Sequence, residues 1–225
     1  MKYHPILFQT AMVQALIAGT KTQTRRLVKG RGFDPQQATG FHILDCRDGR
    51  DVYQLHRPDA NGQPAAIGEV RHRYAPGDRL WVRETWADYN AGVSDEMKAN
   101  YPAMGQPHYV YRADFTELLT DKVGIWKPSI HMPRPASRLT LEVVSVRVER
   151  VREISEQDAE AEGVARFADD VAPVVWQQKY VDYQSGLRAY ASARDSYRSL
   201  WDHINGAGSW EANPWVWVIE FQRVT

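Results

Sequence analysis

Apolar positions along the chain fall into two rhythms. Leu139, Leu141 and Val143 alternate with polar residues, and then Val144, Val146 and Val148 continue in the opposite phase. A period of two is the pattern of a strand. One extra residue near Val143-Val144 accounts for the change of phase, so a β-bulge is expected there, and bulges bend strands as a small barrel requires. The last run, "NPWVWVIEFQRV", is apolar on both faces, which predicts a central strand. Pro5–Phe8 and Thr22–Val28 read as short strands. Leu80 and Val82 alternate with Trp81 and Arg83 just after a Pro76-Gly77 turn, giving another.

The second rhythm is helical. Met12, Ala15 and Leu16 share a face, predicting a helix over 11–18 with Thr10 as N-cap and Gly19 at C′, where positive φ is needed. Tyr197, Leu200, Trp201 and Ile204 follow i, i+3, i+4, i+7, so a second helix ends at Asn205-Gly206. Between them, Ser155 caps a short helix over 156–162, with Asp158 at N3 and Gly163 as the stop. Residues 29–75 are rich in Gly, Pro, Asp, Asn and Gln and predict two hairpins, with turns near 47–50 and 59–64. Residues 87–124 read as an irregular insertion or lid carrying a strand-like "HYVYRAD" at 108–114. Residues 165–185 stay ambiguous. The fold class is α+β: a bent, mostly antiparallel sheet or barrel with short helices.

Composition narrows the possibilities. The chain has 225 residues, with 28 basic and 28 acidic side chains, so net charge is zero. A protein that coats duplex DNA is usually basic, so this balance argues against that role while leaving room for a local basic pocket. The single cysteine, Cys46, permits no internal disulfide and fits a reducing, cytoplasmic setting. It reads as an ordinary thiol rather than a nucleophile. No apolar run approaches a membrane span, and "MKYHPILFQT" lacks a signal-peptide core. The seven histidines show no metal-ligand spacing, so neither metal nor cofactor is expected. No GxGxxG, GxxxxGK[ST] or GxSxG occurs.

Candidate chemistry gathers in "GTKTQTRR", 19–26. With Lys21 in the turn and Thr24 just inside the strand, Thr24 and Arg26 share a face. Lys21 beside Arg25 and Arg26 is pushed toward the neutral amine, a base able to activate the Thr24 hydroxyl. Arg26 offers a fork for phosphate, carbonyl or carboxylate. The same residues also suit a solvated turn, with Lys21 complementing the helix end. Glu160 and Glu162 sit in the last turn of a helix, where the carbonyl end already repels acids; that placement calls for a cationic partner, or else for solvent. "KPSIHMPRPAS", 127–137, is a constrained loop whose Ser129 and His131 line a site or serve as scaffold.

The order of these pieces resembles the ASCH family, a PUA-like β-barrel. The matching residues are Gly19, Lys21, Thr24 and Arg26, then Gly77-Asp78, the long bent strand, the short helix ending in Glu, and the closing "VIEF". The resemblance covers roughly 5–30, 75–86 and 136–225, as one domain over 1–225 with insertions at about 31–74 and 87–125. "LFQTAMVQALIAGTKTQTRR" and "GSWEANPWVWVIEF" are similar to members from bacteriophage and prophage genomes. A compact bacterial member of the family, an N4-acetylcytidine amidohydrolase, uses a Lys, a Thr and a Glu to deacylate the exocyclic nitrogen of cytidine. The resemblance implies Lys21, Thr24 and Glu162 as catalytic residues. It implies substrate contacts from Gly19, Arg26 and Ser129, with Trp86 and Trp126 as stacking platforms. The implied partner is a small modified nucleoside, with no membrane. The alternative is single-stranded RNA, bound or cleaved.

Overall fold

The computed structural model describes residues 1–47, 50–90, 95–100, 108–115, 126–166 and 180–224. At its centre lies β12 (Trp215–Arg223), where Val216, Val218 and Ile219 are fully buried. Apolar side chains on both faces place it inside a sheet, and it pairs antiparallel with β9 (Thr140–Arg150) on one side and β2 (Gln23–Leu27) on the other. The order is completed by β6 (Arg79–Arg83) beside β9 and by β1 (Tyr3–Leu7), parallel to β6, at the far edge. The expected bulge is present. Glu220 faces Ser145 and Phe221 faces Val143, so Val144 has no opposite residue and is 50% exposed.

This sheet does not close into the expected barrel. Strands β1 and β2 are both edges and do not pair, so the architecture is an open, mostly antiparallel α+β sheet. The edges still approach each other, because Arg26 Nη2 on β2 donates to Leu7 O on β1 at 3.0 Å. Edge carbonyls without a strand partner need other donors. Tyr74 Oη supplies one to Pro5 O at 3.2 Å, and Lys21 Nζ supplies one to Gln23 O at 2.8 Å.

Strands β3 (Gly40–Arg47), β4 (Arg50–Pro58) and β5 (Pro64–Arg71) form an antiparallel meander. The 59–64 turn lies where expected, whereas residues 48–49 of the other turn lie outside the described residues. The meander joins the main core through Tyr53, Leu55 and Val70. Tyr53 meets Trp217 edge-on at 5.4 Å and Phe41 meets Trp215 at 5.5 Å. A second, small core holds Trp86 of β7 (Trp86–Asp88) with Met132 and Ala136, and Tyr109 and Tyr111 of β8 (Tyr109–Tyr111) pack against it.

Beside this small core an ion cluster ties β6 to the loops. Arg138 grips Glu84 through Nε–Oε1 and Nη2–Oε2, both at 3.0 Å, and donates to Asp114 Oδ2 at 2.6 Å. Burial raises the Glu84 pKa and Arg138 opposes it. Removing one partner of such a pair strands the other charge. Arg138→Met is therefore expected to cost ~3 kcal/mol in urea unfolding.

Three helices frame the site, and a further short one, α2 (Asp95–Asn100), lies in the 87–124 stretch. Helix α1 (Thr10–Ile17) buries Met12, Val13 and Leu16. Its N-cap is Gln9, not Thr10, and no side chain caps it, because the chain enters the helix one residue earlier than the Thr signal suggests. Helix α3 (Glu156–Ala161) starts as expected, with the Asp158 N–H donating to Ser155 Oγ at 3.0 Å. Helix α4 (Ala193–Asn205) follows the short antiparallel pair β10 (Tyr180–Val181) and β11 (Arg188–Tyr190) and buries Tyr197, Leu200 and Trp201, while Ile204 is 48% exposed. Glu156 of α3 caps it, accepting from the N–H of Ala193 at 2.8 Å, as the positive end of a helix favours.

Candidate functional site

Strand β2 begins where the ends of α1 and α3 meet. Gly19 has φ +76° and turns the chain out of α1, letting Thr20 and Lys21 donate to Ala15 O at 3.0 and 3.2 Å. Thr22 N donates to Ala161 O at 2.8 Å, and Lys21 pairs with Glu162 as a short antiparallel bridge. Gly163, φ +80°, makes that approach possible. A Cβ there would sit 2.8 Å from Ala15 Cβ and 2.9 Å from Lys21 Cβ.

This junction brings Lys21 onto Glu162. The ammonium donates to Glu162 Oε2 at 3.0 Å, Glu162 O at 2.7 Å and Gln23 O at 2.8 Å. The two side chains are 1% and 4% exposed. Burial is the main cause that holds the Lys21 pKa below its ordinary value; Glu162 opposes it, and Arg26 and Arg25 add to the lowering. The like-charge argument from sequence thus has the right sign but names a minor cause.

Arg25 completes the pair and was not singled out from sequence as a site residue. Its fully buried guanidinium reaches Glu162 Oε1 at 3.1 Å, Glu149 Oε1 at 2.5 Å and Asp158 Oδ2 at 3.2 Å. Arg147 carries the network on to Asp158, Glu149 and Glu220. The acid at the end of α3 is therefore balanced by Lys21, just before β2, and by Arg25 on it, the partnership its awkward position called for.

On the opposite face of β2, Thr24 and Arg26 open onto a cavity of about 880 Å³ between β1 and β2. Lys21, Thr24, Arg26, Ser129 and Glu162 all line it. The Thr24 hydroxyl has no hydrogen-bond partner among the described residues. Arg26 lies over Phe8, 5.6 Å from the ring centroid, and commits two nitrogens to Leu7 O and Arg25 O.

Three expected substrate contacts are elsewhere. Gly19 forms the exposed turn and does not line the cavity. Trp86 is sealed in the small core with Met132 and Ala136, and Trp126 packs on Phe115 at 5.6 Å. Neither tryptophan lines the cavity, although Thr85, next to Trp86, does. The aromatic lining comes instead from Phe8, His72, Tyr74, Trp217 and, on α4, Tyr197 and Trp201. Trp217 reads in sequence as one more core residue of a central strand. Its register opposite Arg26, not its local pattern, puts it in the cavity.

His72 stands 5.1 Å from Trp217. Its Nδ1 accepts the Tyr74 N–H at 3.1 Å, so the proton of the neutral ring sits on Nε2. Burial, helped by Arg73, lowers its pKa from an ordinary 6.5 to about 4. The unfolded chain then takes up the proton first as pH falls. The stability contributed by neutral His72 is intact above about 6.5 and is lost as pH falls toward about 4. Relative to a His72→Asn variant, the wild-type chain is expected to lose an additional ~2 kcal/mol between about pH 7 and 4.5, read by urea titration at each pH.

Fold and site together define an α+β protein with an open, mostly antiparallel sheet, in which a buried lysine–glutamate pair faces a cavity at the split edge. Among the described residues no three His, Cys, Asp or Glu side chains group as a metal site, and no helix is long and apolar enough to cross a membrane. Comparison with family models, with curated proteins and with solved structures gives no match.

Proposed function

We propose that the cavity is the active site of an amidohydrolase that removes the acyl group from N4-acylated cytidine or a close relative. The observation that carries this reading is the juxtaposition of Lys21, Thr24 and Glu162 at one cavity, with the amine and carboxylate 3.0 Å apart and almost wholly buried. The resemblance to ASCH proteins, with their PUA-like arrangement, assigns that constellation to deacylation of a cytosine amine. The exposed thiol of Cys46 fits a reducing compartment, and we place the protein in the cytoplasm on that ground.

Transfer of a proton from the Lys21 ammonium to Glu162 leaves a neutral amine in a buried setting that already favours it. That amine takes the Thr24 proton as Oγ attacks the acyl carbon. Collapse breaks the carbon–nitrogen bond, and the departing cytosine nitrogen takes a proton from the lysine–glutamate pair. Water then hydrolyses the acyl-threonine ester, releasing the acid and restoring the hydroxyl. The Nε2–H of His72 and the remaining donors of Arg26 are available to a ligand oxygen. Trp217 and Tyr74 offer faces for the base. The test is incubation with N4-acetylcytidine and chromatographic detection of cytidine. Absence of turnover over hours, across several acyl groups, removes the reading.

A specific observation favours a second reading. Lys21 Nζ has three acceptors at 2.7–3.0 Å, which suits a permanent ammonium in a structural ion network. The protein would then be a module that binds single-stranded RNA without chemistry. Binding of a labelled oligonucleotide with no cleavage and no deacylation would select it, and cleavage would make it a ribonuclease.

A further inference from the structure

We infer that the ligand of this cavity carries a phosphate group, held at the mouth by Arg71, Arg73 and Lys29, so that a nucleotide phosphate rather than a bare nucleoside is the preferred class. This rests on the proposed reading for the identity of the base, but not for the phosphate.

The cavity is lined by more cations than acids. Lys21, Arg25, Arg26, Lys29, Arg71 and Arg73 line it, and the acid among the lining residues is Glu162. Lys21 and Arg25 are neutralised by that glutamate and by Glu149 and Asp158. Arg26 is turned onto the edge carbonyls of β1 and β2. Arg71, Arg73 and Lys29 are exposed and form no ion pair among the described residues. The whole chain has zero net charge, so this is a local excess rather than the spill of a basic protein.

The excess is felt inside. Arg73 and Arg50 both push His72 toward its neutral form, and Arg26 and Arg25 act likewise on Lys21. A cleft with one sign of charge and low-dielectric walls concentrates ligands of the opposite sign. The base-facing wall of Trp217 and His72 is joined to this mouth by a single short stretch, His72 being flanked by Arg71 and Arg73. Arg71 and Arg73 line the same cavity as Trp217, and their forks match phosphate oxygens. The volume, about 880 Å³, lies toward the upper end of small-ligand pockets and accommodates more than a base and a sugar.

The experiment is calorimetric titration of the full chain at low salt with cytidine, cytidine 5′-monophosphate and a short single-stranded oligocytidylate. The monophosphate is expected to bind about tenfold or more tightly than the nucleoside, with the advantage shrinking as salt is raised. In an Arg71→Ala/Arg73→Ala variant, folded by circular dichroism, the ratio of the two affinities should fall toward one. A further gain with the oligocytidylate assigns the phosphate to a polynucleotide, and no gain assigns it to a mononucleotide. Equal binding of nucleoside and monophosphate, an undiminished ratio in the variant, or no binding of any of the three at millimolar ligand overturns the inference. Phosphate preference without deacylation of N4-acetylcytidine or its 5′-monophosphate keeps the inference and removes the hydrolase. Deacylation indifferent to phosphate does the reverse.

Discussion

A Glu162→Ala chain is expected to be ~3–5 kcal/mol less stable than the wild type, a loss large enough to threaten folding at all. The carboxylate is buried and receives both the Lys21 ammonium, at 3.0 Å, and the Arg25 guanidinium, at 3.1 Å. Its removal leaves two buried cations short of a counter-charge. Arg25 retains Glu149 and Asp158, so most of the cost falls on Lys21. This predicts a partial rescue. Adding Lys21→Met to Glu162→Ala should restore ~2 kcal/mol, because an apolar chain replaces a stranded charge. Urea midpoints of the four members of the cycle measure it. If the double variant is no more stable than Glu162→Ala, the pair is not coupled and the account of the junction is wrong.

The second large effect concerns chemistry and spares the fold. Thr24→Ala is expected to lower turnover of an N4-acylated cytidine by ~10³-fold or more while shifting stability by no more than ~1 kcal/mol. Thr24 lines the cavity and its hydroxyl bonds to no member of the ion network, so the lysine–glutamate pair survives the change. Thr24→Ser keeps a hydroxyl and should keep a measurable part of the activity. Should Thr24→Ala turn over like the wild type, Thr24 is no nucleophile, and a water held by Lys21 is left to do the attack. A burst of cytidine equal to the enzyme concentration in the Thr24→Ser chain, read by rapid quench, would point to a slow acyl-enzyme step.

Much of the frame is written locally. The phase change at Val143-Val144 predicts a bulge, and Val144 is the residue without a partner opposite β12. Gly19 and Gly163 predict helix stops and both take positive φ. Residue by residue, these signals depend on steric preferences within a few bonds. The N-cap of α1 misled because Thr10 is a good cap in isolation, while the backbone had already turned helical there. The stacking tryptophans misled for a different reason. Trp86 and Trp126 lie near turns, as rim residues do, but that signal does not say which core a side chain joins.

The site itself stands between these cases. The resemblance names Lys21, Thr24 and Glu162, and the misplaced acid at the end of α3 is a local cue that something cationic must meet it. The partner Arg25 has no local cue of its own, since alternation in a strand says that it faces away from Thr24, not what it meets there. His72 and Tyr74 sit in a stretch whose composition speaks only of turns.

The amino-acid order by itself determined the five strands of the main sheet, the bulge, the helix stops and an acid awkwardly placed at a helix end, because each follows from propensities and periodicities spanning a few residues. Only the tertiary structure decided that the sheet stays open and that β1 and β2 leave a cavity between their edges. It alone decided, too, that Trp217 and His72 line that cavity together with Lys29, Arg71 and Arg73, which form no ion pair among the described residues. Those outcomes depend on contacts between residues far apart in the chain, 141 positions in the case of Lys21 and Glu162. Pairing over such distances is selected by the packing of the whole core, and no short window of sequence contains it.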